Sequence, residues 1–247
     1  MAITNTSGIL PTVFFDLDGT LIFSSDAIRS SISRMMVEFG LEPLDEDNIK
    51  YFVGVPLGEA LSHWVDDPRP LMDRYRQIYL ETYREKTQVY DGVVELLEAL
   101  HGEVRTGIIT LKSRYTTRHV LQTMGIGSYF KDIYGDEGPG LSEYRIKPHP
   151  QHFFHALLDM GLISENEHKA LKGESDLRGK EIPFDNSDIL FLGDTEADMI
   201  GARRAGITPV GANWGLRDKE QLLNAGAETT VDDPQQFLAL LGEMGFL

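Results

Sequence analysis

The chain reads as an α/β protein: a doubly wound parallel sheet, Rossmann-like, with a helical domain inserted after its first strand. Three observations lead there. The apolar runs Val13-Phe14-Phe15, Gly107-Ile108-Ile109 and Ile189-Leu190-Phe191-Leu192 have the length and composition of strands buried on both faces. Over residues 90–247, strand-like runs alternate with stretches of helical spacing, the pattern of a parallel sheet covered by helices on both sides. The stretch 22–88 is mostly helical and breaks that alternation after the first strand. Core segments 1–21 and 89–247 therefore bracket an inserted domain at 22–88.

In chain order, 13–16 reads as the first buried strand. Ser25 stands as N-cap of a helix whose apolar positions are Ile28, Ile32, Met35, Met36 and Phe39, closed by Gly40. A second helical stretch covers 71–83, with Tyr75, Ile78, Tyr79 and Thr82 on one side. Tyr75, Tyr79 and Tyr83 read as core of the inserted domain. Val93, Leu96, Leu97 and Leu100 mark a helix opening after Asp91-Gly92. The strand 105–110 ends in a hydroxyl, Thr110, and helix 115–124 follows. A short strand at 130–134 precedes helix 151–160, which carries Phe153, Phe154, Leu157 and Leu158. After the strand 189–192 come helix 195–205, short strands at 208–210 and 229–231, and a last helix at 234–243. Residues 164–187 are polar, with Gly173, Gly179 and Pro183, and read as a solvated surface insert or, alternatively, a lid or contact surface.

Composition narrows the function. The chain has 247 residues, 41% hydrophobic and 25% charged, enough to bury a sizeable core. A net charge of −16 disfavours nucleic acid and anionic membranes as partners, so an anionic substrate has to be drawn in by local positive features. The absence of cysteine removes disulfides, thiolate metal sites and a cysteine nucleophile, and fits a cytoplasmic protein. The start, Met1-Ala2-Ile3-Thr4-Asn5-Thr6-Ser7-Gly8, shows no signal-peptide pattern, and no apolar run approaches a membrane span.

The chemistry gathers at strand ends. Asp16-Leu17-Asp18-Gly19-Thr20 follows the first strand. Side chains two apart in a strand share a face, so Asp16 and Asp18 point the same way and repel unless a hard cation such as Mg²⁺ neutralises them. Gly19 lets the backbone turn and present N–H groups to an anion. Thr110 ends the second strand, Lys147-Pro148-His149-Pro150 precedes a helix, and Gly193-Asp194-Thr195-Glu196-Ala197-Asp198 ends the third clear strand. Ligands of open α/β sheets bind at the carboxyl ends of strands, so all four groups meet in one crevice. Together they suit phosphoryl transfer: a carboxylate nucleophile, a metal, a lysine and hydroxyl on the non-bridging oxygens, and a second carboxylate moving a proton.

These motifs in this order resemble the haloacid dehalogenase-like hydrolase superfamily, in particular its phosphatases with a small helical cap, over about residues 12–243. The resemblance identifies 22–88 with the cap. It implies a Mg²⁺-dependent hydrolase of small phosphomonoesters, similar to phosphoglycolate phosphatase. That subgroup is also resembled by Val53-Gly54-Val55-Pro56-Leu57 and by the tail from Asn213-Trp214-Gly215 to Ala225-Gly226-Ala227. By resemblance, Asp16 is the nucleophile that becomes an aspartyl-phosphate. Asp18 protonates the leaving oxygen and then activates water. Thr110, Lys147, Leu111, Gly19 and Thr20 bind the phosphoryl group. Asp16, Asp194 and the backbone carbonyl of Asp18 hold Mg²⁺, and Asp198 supports Lys147 or the metal shell. The subgroup often has Thr-Asn-Lys where this chain has Thr110-Leu111-Lys112; the middle residue serves through its backbone N–H.

Other readings stay open. Dehalogenase members lack the second acid of the first motif, which Asp18 supplies here. Sugar-phosphate mutases share the Asp pair but usually carry a His early in the first cap helix, where this chain has Ser25-Asp26-Ala27-Ile28-Arg29-Ser30. A catalytically silent member acting as a binding protein is the third alternative. Arg29, Arg34, His63 and Arg69 are candidate substrate contacts that read equally as solvated charges. His149, His152 and His155 recur every three residues, and with Phe153 and Phe154 on the core side they read as an exposed helix face, not a metal site.

Overall fold

The apolar run at the N-terminal end of the core builds the central strand. In a computed structural model describing residues 10–44, 52, 54–136 and 145–247, β1 (Thr12–Phe15) is buried along its whole length. It lies parallel between β4 (Arg105–Ile109) and β6 (Ile189–Gly193), with Phe14 opposite Gly107 on one side and Phe191 on the other. With β5 (Asp132–Tyr134), β7 (Thr208–Ala212) and β8 (Thr229–Val231) the sheet has six parallel strands in the order β5-β4-β1-β6-β7-β8. The chain thus winds outward in both directions from β1, and the crevice expected of such a sheet opens at the carboxyl ends of β1, β4 and β6.

Alternation along the strands makes two cores. Val13, Phe15, Ile108, Leu190, Leu192 and Val210 face one way, onto α4 (Val93–Leu100), α5 (Arg114–Thr123) and α10 (Pro234–Glu243). Phe14, Ile109, Ile189 and Phe191 face the other, onto α6 (Gln151–Asp159) and α8 (Glu196–Arg204). A short helix, α9 (Lys219–Ala225), packs beside α8 and the edge strands. None of the described helices is long and apolar enough to cross a membrane.

Between β1 and α4 the chain makes a two-stranded antiparallel ribbon, β2 (Ile22–Phe23) with β3 (Gln88–Val89). Through it the backbone leaves the core and returns. The segment enclosed holds α1 (Ser25–Glu38), α2 (Leu57–Leu61) and α3 (Arg69–Thr82). Ile28, Ile32, Met35 and Met36 of α1 join Leu71, Met72, Ile78 and Tyr79 of α3 in one apolar cluster, with Tyr83 beside them and Tyr75 at its margin. The first Met1–Gly8 residues and Val53 of the predicted turn lie outside the described residues.

Three expectations need correction. The N-cap of α1 is Ser24, not Ser25, and its hydroxyl makes no cap bond: it donates to Asp18 instead. The strand expected at 130–134 starts only at Asp132. The segment 164–187 is not simply a solvated excursion. Ser164 and Glu167 form a capping box that starts α7 (Glu165–Leu171), and Leu171 and Leu177 are buried in the second core with Phe184 packed against it. Sparse apolar residues at irregular spacing hide such a segment from a periodicity argument. Leu171→Ala is expected to lower the unfolding free energy by about 2–5 kcal/mol, as buried Leu→Ala changes do. Urea denaturation measures it, and no change would detach the segment from the core.

Candidate active site

The first-strand carboxylate is held by a buried cation. Asp16 follows β1, its backbone N–H donating to the Leu192 carbonyl at 2.9 Å. The Lys147 side chain is only 2% exposed. Its Nζ donates to Asp16 Oδ1 at 2.6 Å, to Asp198 Oδ1 at 2.6 Å and to the Ile109 carbonyl at 2.8 Å. An ammonium has three N–H donors, and these three acceptors use them all. One residue thereby ties the ends of β1, β4 and β6 together.

The β6 end is a capping box turned to this purpose. Thr195 is the N-cap of α8, and Asp198 occupies the third helical position. Asp198 Oδ2 accepts from the Thr195 N–H at 3.0 Å, the Thr195 hydroxyl at 2.7 Å and the Asp194 N–H at 3.2 Å. This fixes the carboxylate so that its other oxygen meets Lys147. Asp194 is fully buried; its Oδ1 accepts from the Thr20 hydroxyl at 3.0 Å and its Oδ2 from the Leu216 N–H at 2.8 Å. Two glycines make room for it. A Cβ on Gly19, whose φ is +91°, would lie 2.1 Å from Asp194 Oδ2, and one on Gly215 would lie 2.3 Å from Asp194 Cβ. Trp214 clamps the turn from outside, its indole N–H donating to the Thr20 carbonyl at 2.9 Å.

Asp18 is held separately from Asp16. Ser24 donates to its Oδ1 at 2.5 Å, and Lys112 Nζ lies 3.1 Å from its Oδ2. Thr110, at the end of β4, is buried, and its Oγ1 accepts from the Lys112 N–H at 3.2 Å. Asp16, Asp18, Thr110, Leu111, Lys112 and Lys147 all line one pocket. Its opposite wall comes from the helical segment: Ile28, Ile32, Phe52, Val55, Leu57, Tyr75, Arg76 and Tyr79.

Thus Asp16, Asp18, Thr110, Leu111 and Lys147 meet where the sequence places them, with Asp194 and Asp198 beside them. Gly19 and Thr20 do not face the pocket as phosphate binders. The Gly19 N–H donates to the Ile22 carbonyl at 2.9 Å, the Thr20 N–H to the Leu17 carbonyl at 3.4 Å, and the Thr20 hydroxyl serves Asp194. Arg29, Arg34, His63 and Arg69 are absent from the pocket lining. The three arginines pair with Asp26, with Glu38 and Glu81, and with Asp67; His63 Nδ1 meets the Ala60 carbonyl. Arg76 stands in the pocket wall instead. His152 is not exposed but fully buried, its Nδ1 accepting from the Lys147 N–H at 3.3 Å. Burial, with Lys147 close by, holds it well below the usual histidine range. Sequence reasoning passed over Lys112 as part of a subgroup motif, and missed Ser24 and Asp136; the last is buried in the pocket lining.

The electrostatics call for a cation. Burial pushes the Asp16 carboxyl up to about 7, against the pull of Lys147 and with a push from Asp198. Burial also raises Asp194 well above the carboxylate range, with Asp16 and Asp198 adding to it. Burial alone lowers the Lys147 ammonium, but Asp16 and then Asp198 outweigh it and hold it above its ordinary value. The carboxyls of Asp16, Asp194 and Asp198 cluster beside one buried ammonium, Lys147, while Asp18 pairs with Lys112. One oxygen each from Asp16, Asp194 and Asp198 lies within 4.8 Å of the others. Buried, hard carboxyl oxygens clustered at one point, whose charged forms burial disfavours without a cation, fit a divalent ion such as Mg²⁺. Asp198 accepts four hydrogen bonds, one of them from the Lys147 ammonium, whereas each Asp194 oxygen accepts one from a neutral donor, so Asp16 and Asp194 are the better side-chain ligands.

Comparison with known proteins places the chain in a family. Residues 13–168 match the family model of the haloacid dehalogenase-like hydrolases. The 5′-nucleotidase of Pseudomonas aeruginosa is 28% identical over 218 residues, 86% of each chain. A phosphoglycolate phosphatase of Pseudomonas fluorescens is 28% identical across 94% of this chain and 80% of its own. A pyrophosphatase of Oceanobacillus iheyensis is 24% identical across 94% and 97%. Among solved structures, a haloacid dehalogenase-like family hydrolase from Streptococcus pneumoniae has a TM-score of 0.71 at 25% identity, covering 94% of this chain and 98% of its own. A hydrolase from Pseudomonas syringae, at 24% identity, shares the fold with a TM-score of 0.73 over 95% and 99% of the two chains.

The raised Asp16 carboxyl has a consequence for stability. Below the ordinary aspartate pKa both folded and unfolded states are protonated there, and the group contributes nothing. Between about 4 and about 7 the folded state keeps a proton that the unfolded state has lost, so stability falls as pH rises. In metal-free buffer, Asp16→Asn is therefore expected to gain stability relative to the unsubstituted protein across that window. Urea midpoints at several pH values measure it; a flat difference would contradict the assignment.

Proposed function

Because the chain belongs to the haloacid dehalogenase-like hydrolase family, we propose that it hydrolyses small phosphomonoesters in a Mg²⁺-dependent reaction, with Asp16 as the nucleophile. The observation that carries the reading is the Lys147 bridge: an uncompensated buried carboxylate at the pocket floor is costly, and the lysine aims Asp16 and offsets part of the cost of its charge. Bound Mg²⁺, held by Asp16, Asp194 and the backbone carbonyl of Asp18, would offset the negative charge of the phosphoryl group.

The chain's own residues do the rest. The Thr110 hydroxyl donates to a non-bridging oxygen, with the Leu111 N–H beside it, and the Lys147 ammonium offsets their charge from its place on Asp16. An Asp16 carboxylate oxygen attacks phosphorus. The bond from phosphorus to the leaving oxygen breaks, and Asp18 delivers its proton to that oxygen. In the second half, Asp18 takes a proton from water while the water oxygen attacks phosphorus. The Asp16–phosphorus bond breaks, and inorganic phosphate leaves. Asp198 acts through Lys147. The helical segment acts as a cap, and its wall of Ile28, Ile32, Phe52, Val55, Leu57, Tyr75 and Arg76 receives the leaving group. The relatives named above carry nucleotidase, phosphoglycolate phosphatase and pyrophosphatase names, which supports a small phosphate compound as substrate.

Phosphate release from a panel of phosphomonoesters, with Mg²⁺ and with EDTA, tests the reading. Release is expected with Mg²⁺, none with EDTA, and none from Asp16→Asn, which should still melt cooperatively. Turnover by Asp16→Asn, or indifference to EDTA, would overturn it. Release only after addition of a sugar bisphosphate would identify a mutase.

A further inference from the structure

The pocket contains a second buried lysine that the reaction above does not use. Lys112 follows β4 by three residues, and its side chain is only 7% exposed. Its backbone is fixed at both ends: the N–H donates to Thr110 Oγ1 at 3.2 Å, and the carbonyl accepts from the Asp136 N–H at 3.1 Å. Its Nζ lies 3.1 Å from Asp18 Oδ2 and 4.0 Å from the centre of the Tyr79 ring, on α3 across the pocket. Freezing a lysine stem costs rotamer entropy, so a stem held this way reflects specific attractions at its tip. Here they are an ion pair and a cation–π contact. The two lysines divide the two acids: Lys147 bonds Asp16, and Lys112 pairs with Asp18. With Ser24 on Oδ1 and Lys112 near Oδ2, Asp18 is gripped from both sides.

We propose that Lys112 is a positioning residue for Asp18: seated on the Tyr79 ring, it fixes the aim of that carboxyl toward the leaving oxygen and ties that aim to the helical segment. The inference rests on the proposed role of Asp18 as acid and base. A proton donor has to stand within about 2.6–3.2 Å of the oxygen it serves, and a misplacement of about 1 Å can cost about 100-fold in rate. A lysine that instead bound the phosphoryl group would matter equally for every substrate. One that aims the acid matters only when the leaving group needs a proton.

That difference is the test. Lys112→Met and Lys112→Arg are assayed with Mg²⁺ on p-nitrophenyl phosphate, whose leaving group departs without a proton, and on β-glycerophosphate, whose alkoxide cannot. For Lys112→Met, kcat is expected to fall about tenfold or more on β-glycerophosphate and less than about threefold on p-nitrophenyl phosphate. Lys112→Arg, which keeps the charge but displaces it, is expected to show the same split in milder form. It decides the question if the methionine variant does not fold. Added to Asp18→Asn, Lys112→Met is expected to cost nothing further, since residues acting as one unit are not additive. Equal losses on both substrates, or a full additional loss in the Asp18→Asn background, would overturn the inference while leaving the phosphatase reading intact. If the unsubstituted protein released phosphate from no ester, that reading would fall and this inference with it.

Discussion

The buried Lys147 ammonium is the contact on which the rest of the site depends. It sits where three strands of a parallel sheet end, and each contributes one acceptor: Asp16 after β1, the Ile109 carbonyl of β4, and Asp198 in the helix that follows β6. Removing one partner of a buried ion pair typically costs about 3–5 kcal/mol, because the other charge is left unpaired. Here the lysine has two carboxylate partners, so its loss would leave both Asp16 and Asp198 facing each other and Asp194 across the crevice. The sheet topology makes this meeting point possible. Only a chain that winds outward in both directions from β1 brings residues 16, 109, 147 and 198 to one place.

Around this hub the chain spends its special residues on fixing oxygen atoms. Gly19 and Gly215 are small because Asp194 fills the space their side chains would take. Thr20 and Trp214 form a relay that holds the same carboxylate from the other side. Thr195 and Asp198 use an ordinary helix-capping pattern, which would exist in any such helix, to present an oxygen to Lys147. The second acid is built differently. Asp18 is gripped by a residue at the entrance to the helical segment, Ser24, and by one behind β4, Lys112, which touches Tyr79. Asp16, the proposed nucleophile, thus belongs wholly to the sheet, whereas Asp18, the proposed proton carrier, also answers to the helices.

Much of this was legible in the sequence, for a physical reason. The strands are buried on both faces and appear as uninterrupted apolar runs, and the groups at their ends are few and chemically distinct. Asp16, Asp18, Thr110, Lys147, Asp194 and Asp198 could therefore be placed together before any geometry was known. What could not be read depended on side-chain direction and on non-periodic burial. Thr20 and Gly19 look like an anion-binding turn, but their donors are consumed within the turn and by Asp194. His152 shares a three-residue spacing with His149 and His155, yet α6 buries it against the Lys147 backbone. Leu171 and Leu177 lie in a polar stretch with no repeat to announce them, although the Ser164-Glu167 capping box marks the helix start. Arg76 was overlooked because nothing along a helix distinguishes a pocket-facing arginine from the solvated Arg34 or Arg69.

The most direct test of the account is to look for the covalent intermediate itself. The enzyme, turning over a phosphomonoester with Mg²⁺, is quenched and treated with borohydride, which reduces an acyl phosphate to an alcohol, and the peptides are read by mass spectrometry. The account predicts conversion of Asp16 to homoserine, with Asp18, Asp194 and Asp198 unchanged. Reduction at another carboxylate would contradict the role given to Asp16.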